Sequence, residues 1–324
     1  MEDISFYREE FLAYLSEKSI VEQPGNLYDP INYILQMGGK RLRPVLTLLG
    51  AEAFGVSYKH ALDAALAVEF FHNFSLMHDD IMDDAPLRRG KVTVHEKWNL
   101  NTAILSGDAM LIRAYQFFEN YKGETFRELA KLFSKTAVTV CEGQQYDIDF
   151  ETQEEVGISQ YINMIRSKTA VLIGAALEMG AIVAGASVED KQKIFDFGCY
   201  LGIAFQLQDD FLDVFGDPKV FGKQVGGDII ENKKTYLYLN ALKQAGKDEA
   251  AQLKHLYSLA PSDPQQKIDA VKQIFIKSGA AERTEEEIKS YIDKALAKLD
   301  EITLAPDRKI LLRSFGQILM ARNV

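Results

Sequence analysis

Cysteine is nearly missing from this chain: Cys141 and Cys199 are the only two in 324 residues, and they form no CxxC pair. That excludes a disulfide framework and a thiolate zinc site, and it fits a reduced, cytoplasmic setting. An excess of positive charge is missing as well. With 47 acidic against 37 basic residues the formal net charge is −10, so bulk electrostatics would draw neither nucleic acid nor an anionic membrane. Any anionic ligand has to be held by local bases and by metal. The start, Met1-Glu2-Asp3-Ile4, lacks the basic and apolar regions of a secretory leader. No run is long enough for an integral membrane protein. The greasiest stretch, residues 170–186, contains Glu178, Gly174, Gly180 and Gly185 and falls short of about 20 apolar residues. Strand-like alternation and low-complexity linkers are absent too.

What is present is apolar spacing of three and four almost everywhere, in a chain that is 47% hydrophobic. This predicts an all-α protein, one domain over residues 1–324 with about a dozen helices. Residues 4–19 form a first amphipathic helix with Phe6, Tyr7, Phe11, Leu12 and Leu15 inward. Asp29-Pro30 reads as an N-cap with proline at the first helical position, starting a helix over 31–37. Further helices are expected at 44–54, 60–77, 101–119, 127–147, 159–184, 189–215 and 233–245, with three more after residue 264. Residues 91–98 read as a polar connection.

The chemistry concentrates in His78-Asp79-Asp80-Ile81-Met82-Asp83-Asp84-Ala85-Pro86-Leu87-Arg88-Arg89-Gly90. Asp79 and Asp83, four apart, share a helical face and would repel one another without a cation between them. Hard oxygen ligands at this spacing suit Mg²⁺ or Mn²⁺ held jointly with phosphate. The adjacent arginines match phosphate oxygens as forks. A solvated acidic helix end closed by a basic loop is the plainer alternative. A second copy weighs against it: Gln206-Leu207-Gln208-Asp209-Asp210-Phe211-Leu212-Asp213, followed by Gly222-Lys223. Two helices that each end in such a set could face across a cavity and hold several divalent ions on one diphosphate.

Three basic stretches complete the pattern. Gly38-Gly39-Lys40-Arg41-Leu42-Arg43-Pro44 places bases on a glycine turn before a helix, which either binds an anion or is an ordinary turn with solvated charges. Lys168-Thr169 sits where a helix becomes nearly all apolar, and Lys233-Lys234-Thr235 opens another helix.

In order, from about residue 38 to 235, these motifs closely resemble those of the trans-isoprenyl diphosphate synthases, the polyprenyl synthetase family. The resemblance implies an isoprenoid-synthase fold around a central cavity, three Mg²⁺ ions and a homodimer. It implies a prenyltransferase that ionises an allylic diphosphate and couples it to isopentenyl diphosphate. By this resemblance Asp79, Asp83 and Asp209 bind metal, supported by Asp80, Asp210 and Asp213. Arg88, Lys168, Lys223 and Lys233 hold the allylic diphosphate, and Lys40, Arg43, His72 and Arg89 hold isopentenyl diphosphate. Thr169 and Gln206 aim oxygen dipoles at the cation. His78 would support the metal carboxylates, whereas His60, His95 and His255 are read as structural.

Product length in this family depends on the residues before the first acid motif. Phe74, five residues ahead of Asp79, would wall off the growing chain, and small Ser75 follows it. The expectation is a short-chain product, geranylgeranyl diphosphate first and farnesyl diphosphate next, with a long-chain synthase as the alternative. At about 100° per residue, Ser75 and Phe71 lie nearer the Asp79 face than Phe74, so these residues would share the floor. A terpene cyclase would have no use for Lys40, Arg43 and Arg89. A non-catalytic partner subunit would be expected to lose acids from a motif, and both motifs are complete.

Overall fold

In a computed structural model the described residues are 4–18, 22–216 and 226–320. They are helical almost throughout. The helices are α1 (Ile4–Glu17), α2 (Gly25–Leu35), α3 (Leu42–Ala53), α4 (Leu62–Met82), α5 (Val94–Lys97), α6 (Leu100–Phe118), α7 (Gly123–Thr152) and α8 (Ile158–Ile165). There follow α9 (Val171–Val183), α10 (Val188–Phe215), α11 (Gly227–Ile230), α12 (Tyr236–Gln244), α13 (Lys247–Leu256), α14 (Gln265–Lys277), α15 (Ala280–Glu301) and α16 (Pro306–Met320). A 3₁₀ turn, Tyr58–Ala61, precedes α4, and a π-helical turn, Arg166–Ala170, joins α8 to α9.

The chain forms two compact units. The first comprises Met1–Ala137, Ala175–Phe195 and Thr303–Leu311; the second comprises Val138–Gly174, Asp196–Ile302 and Leu312–Val324.

The first unit is built on α4. Residues Ala64, Ala65, Leu66, Ala67, Val68, Phe70 and Phe71 are all buried, which is how a helix apolar on every side behaves. Its principal neighbour is α6, started by Asn99, whose side chain accepts the Thr102 N–H at 2.9 Å. Helices α3 and α9 cross with their backbones in contact. A Cβ on Gly180 would lie 2.2 Å from the Thr47 carbonyl oxygen, and one on Gly50 would lie 2.4 Å from that of Leu177.

Two local expectations change in this unit. Helix α2 starts at Gly25 after Pro24, so Pro30 lies inside it and Asp29 is not its N-cap. The proline ring belongs to the buried face with Ile31, Ile34 and Leu35, and that burial offsets the backbone hydrogen bond the proline cannot donate. Residues 87–92 form a hairpin with Leu87 opposite Val92 and Arg88 opposite Lys91. Arg89 and Gly90 have φ of 52° and 73°, the sense a two-residue turn between strands requires. Strands of two residues are too short to leave alternation in a sequence.

The second unit packs α8, α12, α14 and the later part of α10 around a shared core that includes Tyr161, Leu207, Phe211, Leu237, Val271 and Phe275. The short helix α11 begins after Gly226, whose φ is 87°. Helix α13 buries Leu253 in the same core.

Candidate active site

In the first unit the last turn of α4 presents Asp79 and Asp80, and Asp83 is its C-cap, with its N–H on the Asp79 carbonyl at 2.9 Å. The three acids differ in setting. Asp83 is exposed, Asp79 half-buried and Asp80 buried. The hairpin brings Arg88 onto them, Nε donating to Asp80 Oδ1 at 2.6 Å and Nη2 lying 3.8 Å from Asp79 Oδ2. Burial raises the Asp80 pKa; the Arg88 charge and hydrogen bond oppose that rise.

The cationic loop is assembled beside this group. Gly38 and Gly39 have φ of 84° and 119°, and a Cβ on Gly39 would sit 2.7 Å from Arg89 Nη1. Arg89 donates to the Gly38 carbonyl, so hairpin tip and loop are tied together. Arg41, at φ 53°, turns inward to the buried Glu69 and the Leu35 carbonyl. It is therefore the anchor of the loop, while Lys40 stays exposed. Arg43 Nη1 lies 3.1 Å from His72 Nε2. A guanidinium only donates, so this imidazole nitrogen accepts and the ring is neutral. Burial lowers the His72 pKa well below its ordinary value, and Arg43, Arg89, Arg88 and Arg41 add to that.

Below the acids, Phe74 packs against Phe71 with ring centroids 5.6 Å apart and against His78 at 4.7 Å. Phe71 in turn meets Phe133 at 5.3 Å, and Ser75 donates to the His72 carbonyl at 2.8 Å. His78 departs from expectation. Its Nε2 lies 3.2 Å from the Ile104 carbonyl oxygen and 3.9 Å from Asp108, and a Cβ on Gly107 would meet the same atom at 2.3 Å. It faces α6 and backs Phe74 instead of supporting the carboxylates.

In the second unit Asp209, Asp210 and Asp213 lie on α10. Asp210 is buried, with a hydrogen bond from Tyr161 and another from Gln206 Nε2 at 2.9 Å. Burial, and then the charge of Asp228, push its pKa well above the usual carboxylate range against those two bonds. Gln206 accepts from Thr169 Oγ1 at 3.3 Å. Asp213 Oδ2 accepts the Asp228 N–H at 2.9 Å, tying α11 to α10. Lys168 sits on the π turn, with Nζ 2.6 Å from Asp147 Oδ2. A Cβ on Gly143, one helical turn earlier on α7, would come within 2.2 Å of the Lys168 backbone nitrogen. Lys233 lies 2.7 Å from Glu231 and 4.0 Å from Asp228. Burial opposes its charge, but the Glu231 hydrogen bond and the nearby carboxylates outweigh it, so its pKa is raised. Gly222 and Lys223 lie outside the described residues, as does Arg322.

Residues 24–275 match the polyprenyl synthetase family. The chain belongs to that family. It is similar to the geranylgeranyl diphosphate synthase of Methanosarcina mazei, with 37% identity over 309 residues, 93% of this chain and 91% of that one. A crystal structure of a geranylgeranyl pyrophosphate synthase superposes with a TM-score of 0.96 at 52% identity, covering 100% of both chains. A geranylgeranyl pyrophosphate synthase from Corynebacterium glutamicum, complexed with isoprenyl diphosphate and magnesium, superposes at 0.84 with 27% identity, covering 99% and 98%. The protein is thus a prenyltransferase. No described helix is long and apolar enough to cross a membrane.

For a family member that handles diphosphates, the donor set fits a hard divalent cation. Each motif buries one acid against fixed donors, Asp80 on Arg88 and Asp210 on Tyr161 and Gln206. Asp79, Asp83 and Asp209 remain half-buried or exposed carboxylates. Oxygen-only ligation of this kind suits Mg²⁺ or Mn²⁺. Sequence reasoning missed Glu69, Asp147, Tyr161 and Asp228. Glu69 had a signal, as the one acid inside the apolar run 64–77. Asp147 had a weaker one, standing after Gln144-Gln145-Tyr146, whereas nothing local sets Tyr161 apart.

Proposed function

We propose that this prenyltransferase condenses isopentenyl diphosphate with an allylic diphosphate and releases geranylgeranyl diphosphate. What supports the reading is that one unit brings two differently charged groups side by side: acids tied to Arg88, and beside them Arg43 of α3 against the neutral His72 of α4, with Arg89 of the hairpin tip tied to the glycine loop. A cyclase needs only the first of these.

Asp79, Asp83 and Asp209 hold Mg²⁺, three ions in all, with Asp80, Asp210 and Asp213 orienting them. When bound, Mg²⁺ supplies the positive charge that makes the allylic diphosphate a good leaving group. Arg88, Lys168, Lys223 and Lys233 bind that diphosphate and stabilise the charge it gains as its C–O bond breaks. The Thr169 hydroxyl and the Gln206 carbonyl turn their dipoles toward the allylic cation without capturing it. Lys40, Arg43, His72 and Arg89 orient isopentenyl diphosphate, whose double bond attacks the cation. The proton then lost from the new chain passes to the departed diphosphate. Phe74, backed by Phe71 and His78, limits chain growth.

The whole chain acts as one polyprenyl synthetase domain, working as a homodimer in the cytoplasm. Leu100, Ile104, Leu105 and Ile112 recur at helical spacing on α6 and are all exposed, an apolar stripe suited to a second copy. Both cysteines are free thiols.

Arg43→Ala tests the assignment. We expect the KM for isopentenyl diphosphate to rise at least about tenfold while the KM for the allylic substrate changes little; a lost charge-assisted hydrogen bond of about 1.5–3 kcal/mol corresponds to that range. Equal weakening of both substrates would mean that the bases are assigned to the wrong diphosphates.

A further inference from the structure

Immediately beyond the first acid motif a separate donor set converges. Asp84 ends the turn after α4, with φ 48°, and His95 and Glu96 follow one another on α5. One ligand atom from each of the three lies within 4.8 Å of the others. His95 Nε2 is 3.8 Å from Glu96 Oε1.

The imidazole is the informative member. Its side chain is only 8% exposed, yet among the described residues neither Nδ1 nor Nε2 has a hydrogen-bond partner. A buried polar group without a partner costs about 1–3 kcal/mol, so the ring is placed for something other than packing. The two carboxylates beside it are exposed, leaving the cluster open to solvent on one side. Lys97, next along the chain, lays its ammonium over the Tyr33 ring at 3.7 Å and the Trp98 ring at 4.8 Å.

Backbone and side-chain hydrogen bonds hold the cluster in place. The Ala85 N–H donates to the Asp80 carbonyl at 2.9 Å, and the Thr93 N–H donates to the Pro86 carbonyl at 3.2 Å. Thr93 Oγ1 donates to the Ala85 carbonyl at 2.8 Å. The segment before α5 is thereby fastened to the segment after α4, and Asp84 is fixed opposite His95 and Glu96.

We propose that Asp84, His95 and Glu96 form a site for a divalent transition metal of the Zn²⁺ or Co²⁺ type, with water completing its coordination. One imidazole nitrogen and two carboxylates distinguish the site from the oxygen-only aspartate motifs, because nitrogen ligation favours the later first-row metals over Mg²⁺. The ligands bracket residues 85–94, the stretch that carries Arg88 and Arg89. A metal there cross-links the two ends of the hairpin loop and holds both arginines in position.

The test uses chelator-treated full-length protein equilibrated with Co²⁺ in millimolar Mg²⁺, with bound metal counted per chain and the visible spectrum and Tm recorded. The proposal expects one Co²⁺ per chain, nitrogen ligation in the spectrum and a raised Tm. Glu96→Gln and Asp84→Asn, both at exposed positions, should each weaken binding at least about tenfold and remove the Tm rise. Asp79→Ala should leave the Co²⁺ in place. Absence of retained Co²⁺ would overturn the proposal, as would equal retention in both carboxylate variants. Loss of the ion in Asp79→Ala with full retention in Glu96→Gln would assign it to the aspartate motif instead.

Discussion

His72 is a neutral ring surrounded by guanidiniums, and that state has a thermodynamic consequence. In the unfolded chain the imidazole titrates near 6.5, whereas in the folded protein burial and Arg43 hold its pKa well below that. As pH falls through 6.5 the unfolded state takes up a proton that the folded state does not. Stability therefore drops on acidification, by up to about 1.4 kcal/mol per pH unit, until the folded-state pKa is reached. Above 6.5 the group contributes no slope. His72→Gln keeps an acceptor for Arg43 and should flatten this part of the profile. Denaturant midpoints of both proteins between about pH 7 and pH 5 check it, and superimposable curves would show that folding does not lower the ring's pKa.

Backbone strain at single residues points the same way. The four described non-glycine residues with positive φ are Arg41, Asp84, Arg89 and Asn232. Arg41 anchors the cationic loop, Arg89 tips the hairpin, Asp84 follows the first acid motif and Asn232 precedes Lys233. Conformations that cost on the order of 1–3 kcal/mol persist where the surroundings over-determine them.

Among the elements, the π turn at Arg166–Ala170 governs how Lys168 is presented. Such turns are rare and often mark functional positions. Gly143 and Asp147 stand one turn apart on α7: the first lets the Lys168 backbone approach, and the second takes its ammonium at 2.6 Å. Gly143→Ala should force α7 and the π turn apart. We expect a loss of about 1–3 kcal/mol in stability and a fall in kcat larger than that of Asp147→Asn. Thermal melts and steady-state kinetics decide it; unchanged kcat in Gly143→Ala would show that the close approach does not position Lys168.

The same elements show what could be read from residue order. The helix leading to Asp79 and Asp83 was legible because apolar spacing led straight into acids four apart, although the expected helix ended at residue 77 and α4 runs on to Met82 with Asp83 as its C-cap. The hairpin was not, since only Arg89-Gly90 marks it and two-residue strands have no period. The π turn left no trace, for Arg166-Ser167-Lys168-Thr169-Ala170 contains neither glycine nor proline. Tyr161 and Asp147 reach the site only through tertiary packing. Asp29-Pro30 misled because a proline cap and a proline inside a buried helix look alike in sequence.

For the molecule as a whole, a net charge of −10 and two highly charged anionic substrates are reconciled by grouping. Arg41, Arg43, Arg88 and Arg89 all act on one imidazole, so the field near that ring is positive although the protein is acidic. The apolar counterpart is the Phe71, Phe74 and His78 stack beneath the acids. In the proposed reaction these two features combine: metal-assisted coupling of two diphosphates, stopped at a set chain length by Phe74.

Its most direct measurement is mass spectrometry of the products formed from isopentenyl diphosphate, an allylic diphosphate and Mg²⁺ by the wild-type protein, Phe74→Ala and Asp79→Ala. The account predicts geranylgeranyl diphosphate from the wild type and longer chains from Phe74→Ala, which vacates about one side chain of space. It also predicts turnover lowered at least about a hundredfold in a folded Asp79→Ala. A wild-type product of thirty or more carbons, an unchanged distribution in Phe74→Ala, or near-normal turnover in Asp79→Ala would contradict it.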